Sequence, residues 1–175
     1  MLVVNLGQDI SLHPIGEFPE LAHTPLNWSL DLWREGKAEF SADDWRIFYN
    51  KALQGNYDSW DLNGTDQELI YLAVRDEQVI GAIALCDFDD LEEFRHFKPW
   101  IAAFIVDPNL RGGGLGSQIL QLMEEKVISF GIEVIYLWSE NRNDFYKNRG
   151  YQSIDQLHKP GALDRKIEIY RKSLG

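Results

Sequence analysis

The chain is short of the residues that would open several function classes. It has one cysteine, Cys86, in 175 residues, which excludes an intrachain disulfide and any metal site built on a cysteine cluster. Cys86 lies inside an apolar run and reads as a buried structural thiol rather than a nucleophile. No apolar run approaches the roughly 18 residues of a membrane span. The opening Met-Leu-Val-Val-Asn-Leu-Gly-Gln-Asp has neither the basic start nor the long apolar stretch of a secretion signal. A cytoplasmic protein without a membrane partner is expected. Basic residues are also few: 17 Lys and Arg stand against 28 Asp and Glu, a formal charge of −11. That balance argues against nucleic acid as a partner, because binding it needs basic surface. It suits a cationic partner such as an amine, and solubility alone explains it equally well.

What is present suffices for a single domain over residues 1–175. Hydrophobic residues make up 45% and aromatic residues 13% of the chain, and a chain of this length buries roughly 68–70% of its unfolded surface. Residues 3–12 predict a first strand ending near His13-Pro14. Pro25 predicts a helix start with Thr24 as its N-cap. Ser41 followed by acidic residues predicts a second helix, with Trp45, Phe48, Tyr49 and Leu53 on one face and Gly55-Asn56 at its end. Apolar runs at 69–74 and 79–85, joined by Asp76-Glu77, read as a hairpin. An acidic segment at 87–98 reads as an irregular loop or short helical turn. The apolar run 100–106 reads as a strand buried on both faces. A helix then buries Leu115, Ile119, Met123, Val127 and Phe130, with Gly131 after its end. A strand at 134–138 and a short helix at 141–149, capped by Gly150, come next. Strands at 151–154 and 167–171 close the chain. The order β-α-α-β-β-β-α-β-α-β-β belongs to the mixed α/β (α+β) class.

Between the strand at 100–106 and the next helix stand Asp107-Pro108, Arg111 and four glycines in six positions. A strand, a glycine turn and a helix start make an anion site, because the first helical N–H groups lack intrahelical partners. Two phosphate-binding patterns compete for it. A P-loop needs a lysine after its glycines, and none follows. A dinucleotide-binding turn needs its glycines directly after the strand. Gly112-x-Gly114-x-x-Ser117 is a near miss, with Glu140 as a stand-in for the ribose-binding acid. Residues 108–111 intervene, however, and too little chain remains for further βαβ units.

The run Val106-Asp-Pro-Asn-Leu-Arg-Gly-Gly-Gly-Leu-Gly resembles motif A of the GNAT N-acetyltransferases, whose core is Gln/Arg-x-x-Gly-x-Gly/Ala. Arg111, Gly114 and Gly116 match it without a gap. Asn-Asp-Phe-Tyr-Lys-Asn-Arg-Gly-Tyr at 143–151 is similar to the family's closing motif. The resemblance covers residue 69 to the C-terminus and rests on two expected helices before that. It implies a single GNAT-like domain: a central, mixed, mostly antiparallel twisted sheet of about seven strands flanked by about four helices. The sheet would splay between the strands at 100–106 and 134–138.

The resemblance further implies acetyl-CoA as cosubstrate and no metal. Its pyrophosphate would sit on the amides of Arg111, Gly112, Gly113, Gly114, Leu115, Gly116 and Ser117. Its pantetheine arm would add like a strand beside Phe104, Ile105 and Val106. A backbone N–H near Phe104 would polarise the thioester carbonyl. Tyr146 matches the family's tyrosine beside the thiol, a general acid for the thiolate, whose free pKa is about 8.5. Asn141 is a candidate bond to pantetheine or an N-cap.

The family fixes no single general base. Asp87, Asp89, Asp90, Glu92, Glu93 and Glu140 are candidates to take the amine's proton or to hold a cationic substrate. For each, a solvated acid is the plain alternative, and the same holds for His96. Trp28, Trp33, Trp45, Trp100 and Trp138 either wall the acceptor pocket or fill the core. The expected activity is transfer of acetyl from acetyl-CoA to a primary amine, on a small molecule or a peptide N-terminus. The amine would attack directly in a ternary complex. Residues 1–66 would supply the acceptor side and residues 67–175 the core with the CoA site. Two rivals stand: a non-catalytic CoA-binding module and a Rossmann-like dinucleotide-binding domain. A homodimer is left open.

Overall fold

The computed structural model describes residues 9–33, 40–140, 142–159 and 165–175. Among them the strands are β1 (Ser11–Pro14), β2 (Glu68–Arg75), β3 (Gln78–Cys86), β4 (Trp100–Val106), β5 (Val134–Ser139), β6 (Gln152–Lys159) and β7 (Arg165–Ser173). The helices are α1 (His23–Leu32), α2 (Ala42–Leu53), α3 (Leu115–Ser129) and α4 (Asn143–Lys147). The strands form one sheet in the order β1-β2-β3-β4-β5-β7-β6. Neighbours are antiparallel except β4 and β5, which run parallel. The element order and the fold class are those read from the sequence.

Alternation along the strands sorts the core into two faces. On one face Tyr71, Ala73, Ile83 and Leu85 meet Leu115, Ile119, Leu120, Met123 and Val127 of α3. On the other, Ile70, Leu72, Ala82 and Ala84 meet Trp45, Phe48, Tyr49 and Ala52 of α2. Helix α2 starts as its sequence dictates: the Asp44 amide donates to Ser41 Oγ (3.1 Å), and the Ser41 amide donates to Asp44 Oδ2 (2.9 Å). The β2–β3 turn puts Asp76 and Glu77 at φ of 50° and 63°, the handedness that matches strand twist in a two-residue hairpin.

Several boundaries differ from expectation. Helix α1 begins at His23 behind Ala22, with no side-chain cap, rather than at Pro25 behind Thr24. A 3-10 turn at Pro19–Leu21 runs straight into it. Its first bond runs from the Leu26 amide to Ala22 O (3.3 Å), so Pro25 falls among positions that need no N–H. Strand β1 includes His13 and Pro14, paired with Leu72 and Tyr71 at the sheet edge, where proline is tolerated. The part of the expected first strand at residues 3–8 lies outside the described residues. Strands β6 and β7 run longer than read, because β6 is an edge whose exposed residues are mostly polar and show little alternation. Phe130 is the C-cap of α3 and only half-buried.

Two irregularities shape the middle of the sheet. The β4–β5 ladder has a single register pair, Trp100 with Tyr136. Beyond it the two strands part. The β3–β4 register pairs Ala84 with Ala102 and Ala82 with Ile105, so Ala103 and Phe104 together face Ile83. That is a β-bulge, and Ala103 takes a φ of 47° in it. Trp100, Ile101, Ala102 and Ile105 are buried as expected, while Ala103, Phe104 and Val106 are half-buried because the cleft opens beside them.

Candidate active site

The parted strands border a cleft of about 630 Å³, within the size range of small-molecule sites. One end is the glycine turn. Gly112 and Gly114 have φ of 88° and 79°, values that an L-residue adopts only under strain, and a Cβ on either would project into open space. The first bond of α3 is donated by the Gln118 amide to Gly114 O (3.3 Å). The Leu115, Gly116 and Ser117 amides therefore stand ahead of the intrahelical ladder and form an anion cradle at a helix N-terminus. Arg111, Arg142 and Arg149 line the same cleft. Arg149 Nε donates to Ser117 Oγ (2.9 Å) and Nη1 to Phe145 O (2.7 Å), with the guanidinium 3.7 Å above the Phe145 ring. A Cβ on Gly116 would stand 3.6 Å from the Phe145 ring and 3.7 Å from the Phe104 ring. The cradle thus fits a phosphate-bearing ligand. Phe104, Ile105 and Val106 of β4 continue the same wall.

Tyr146 lies on this wall, half-buried, its ring 5.8 Å from Tyr170 and 5.7 Å from Tyr151. The turn that carries it is tied down where the Arg142 amide donates to Ser139 Oγ (3.2 Å). Burial pushes the Tyr146 phenol up to about 12, against the pull of Arg142 and Arg149. It therefore keeps its proton at neutral pH and can donate it. Asn141 lies outside the described residues.

The other end of the cleft is built from side chains. Glu68 opens β2 opposite Cys86 at the end of β3, and both line the cleft with Asp89, Asp90 and Glu140. Burial holds the Asp89 carboxyl well above the usual range; Asp90 and Glu68 add to the rise and the Trp138 indole opposes it. Burial also raises Glu68, while Lys51 Nζ, 3.6 Å away, counteracts it. The Asp89 loop is anchored to β5: Trp138 Nε1 donates to Asp89 O (3.1 Å), and Phe97 stacks on Tyr136 at 4.6 Å.

Asp87 is elsewhere. It is 3% exposed, lines a separate cavity with Trp60 and Lys98, and its Oδ2 accepts from Gln67 N (2.9 Å) and Nε2 (3.0 Å). Strand alternation explains the correction: Cys86 faces the cleft, so its neighbour turns away. Glu92 and Glu93 stand on an exposed 3-10 turn, Glu92 paired to Arg95. Of the tryptophans, Trp33, Trp45 and Trp138 line the cleft, whereas Trp100 is core and Trp28 packs beneath α2. Sequence reasoning passed over Glu68, which reads as an ordinary strand end, and Ala103, since alanine gives no sign of a positive φ.

Backbone donors, arginines and a protonated phenol on one cavity suit a transferase that takes an acyl group from a phosphate-bearing thioester. Comparison with known proteins agrees. The model of the Acetyltransferase (GNAT) family matches residues 31–151, and the chain belongs to that family of acetyltransferases. The amino-acid acetyltransferase of Pseudomonas paraeruginosa is 25% identical over 113 residues, covering 61% of this chain and 25% of that protein. The chain thus spans about a quarter of the length of the curated relatives it matches. An aminoglycoside 6′-N-acetyltransferase complexed with coenzyme A shares the fold at a TM-score of 0.67 and 15% identity, over 95% of this chain and 97% of its own. A GNAT family acetyltransferase from Elizabethkingia anophelis with acetyl-CoA bound does so at 0.58 and 16%, over 94% and 97%.

Proposed function

We propose that this chain acetylates a primary amine with acetyl-CoA, by direct attack of the amine on the thioester within a ternary complex. The observation that carries the reading is the shared cavity of the Leu115–Ser117 amides and Tyr146. The amides, with Arg111, Arg142 and Arg149, hold the pyrophosphate at a helix N-terminus. The parted edge of β4 at Phe104–Val106 receives the pantetheine arm as an added strand. Relatives of this fold bound to coenzyme A or acetyl-CoA support that choice of donor.

Asp89 accepts the proton that the amine loses as its nitrogen forms the new C–N bond. A carboxyl held above its usual range is a stronger base than a solvated one, closer to the working pH. As the C–S bond breaks, Tyr146 donates to the sulfur. A phenol near 12 is a weak acid against a thiol of about 8.5. The same desolvation that raises the phenol, however, raises the sulfur's hold on a proton. Trp33, Phe40, Trp45 and Phe48, with Glu68 and the loop after β3, supply the acceptor side. Cys86 lines the cleft but is a poor acyl-enzyme nucleophile, since burial pushes its thiol well up, away from thiolate.

A melting comparison with acetyl-CoA, CoA and NAD tests the donor. A rise with both CoA species and none with NAD is expected; no rise with either CoA species overturns the reading. Thiol release on adding an amine separates an enzyme from a binding module.

A further inference from the structure

The acceptor end of the cleft is chemically lopsided. Glu68, Asp89 and Asp90 lie at the β2 start and the loop after β3, and Glu140 follows β5. Lys51 Nζ already answers Glu68, 3.6 Å away. The facing wall, from α1 and α2, is aromatic. Trp33 stacks on Trp45 with centroids 4.9 Å apart and planes 11° apart, and Phe40 sets its edge to Trp45 at 5.2 Å. Phe48 continues the wall, 6.1 Å from Trp45. All four line the cleft. Trp45 is 8% exposed and its Nε1–H has no hydrogen-bond partner among the described residues.

We infer that the acceptor is a small monoamine carrying a flat aromatic group, its ammonium at Asp89 and its ring against Trp33 and Trp45. The inference rests on the amine-acetylation reading and deepens it. The aromatic wall offers the further ammonium groups of a polyamine no carboxylate partner. A polyhydroxylated aminocyclitol would press hydroxyls against the ring wall and leave them without partners. A ring gains stacking there and an ammonium gains proximity to the ring faces. The cleft also holds the donor's arm, which limits the acceptor's bulk.

Rates of thiol release with acetyl-CoA, for 2-phenylethylamine, tyramine, n-butylamine, spermidine and kanamycin, test this. Aryl amines should exceed n-butylamine in kcat/KM by about tenfold or more, the worth of burying a ring. Spermidine and kanamycin should trail both. In Trp33→Leu the aryl-to-alkyl ratio should collapse toward unity, and a melting rise with acetyl-CoA in that variant shows that it is folded. Equal rates for aryl and alkyl amines, faster turnover of spermidine or kanamycin, or a ratio unmoved by Trp33→Leu overturns the inference and leaves acetyl transfer standing. Thiol release with no amine, despite binding of acetyl-CoA, overturns the amine reading and this one with it.

Discussion

The two ends of the cleft are made of different material. At the donor end the ligand meets backbone amides of one contiguous turn, and the side chains nearby brace that turn, as Arg149 does for Ser117. At the acceptor end it meets side chains from the α1–α2 region, β2, the β3–β4 loop and the end of β5, drawn from positions 33 to 140. A backbone site keeps its chemistry through most substitutions, provided the glycines remain. A side-chain site changes with each one.

The largest break in the comparison should come from Asp89→Asn, with kcat/KM down on the order of 10³-fold, the scale of a lost general base. Its pH profile should lose the limb that rises as Asp89 ionises. The same variant should melt higher at neutral pH. Burial raises the folded pKa of Asp89 above its unfolded value, so its stability contribution is whole at low pH and is lost as pH climbs through the raised value. The gain should vanish in acid, and a lower melting point at neutral pH would contradict it.

Tyr146→Phe should lower kcat and kcat/KM together by nearer 10²-fold, with CoA affinity unchanged in a binding titration. At the donor end, Gly114→Ala should act through conformation alone, as a Cβ there meets nothing within 4 Å. Holding an L-residue at that φ costs about 1–2 kcal/mol, read as a KM for acetyl-CoA raised about 5–30-fold with kcat kept. Smallest in activity is Asp87→Asn, two residues from the largest. It should leave turnover alone and lower stability by about 1–2 kcal/mol through its weakened bonds to Gln67, seen in denaturant unfolding.

The donor end was legible because its chemistry is local: Arg111 and the glycines are adjacent in sequence and need only a strand before and a helix after. The sheet was legible for a similar reason, as two-residue alternation and turn residues mark β2 and β3 without reference to the rest of the chain. The acceptor end was not. Asp87 and Asp89 would share a face in a continued strand, so which of them enters the cleft depends on where β3 stops, at Cys86, and how the chain turns after it. Trp33 and Trp45 read as core aromatics at helical spacing, and only the packing of α1 against α2 turns their stack toward the cleft. The bulge at Ala103 leaves no mark in composition, since the neighbours that enforce its φ lie on β3.

The lone rung between β4 and β5 makes the molecule two ladders sutured at Trp100 and Tyr136. Sheet cooperativity passes through that stitch and through the ring stack of Phe97 on Tyr136. A donor arm laid along Phe104–Val106 adds main-chain bonds on the far side of the gap, so occupancy changes how the sheet breathes as well as what it can react with. Amide exchange at those three residues should slow on adding CoA more than at β2, which is already laced on both sides. Donor binding would then be a folding event for the seam.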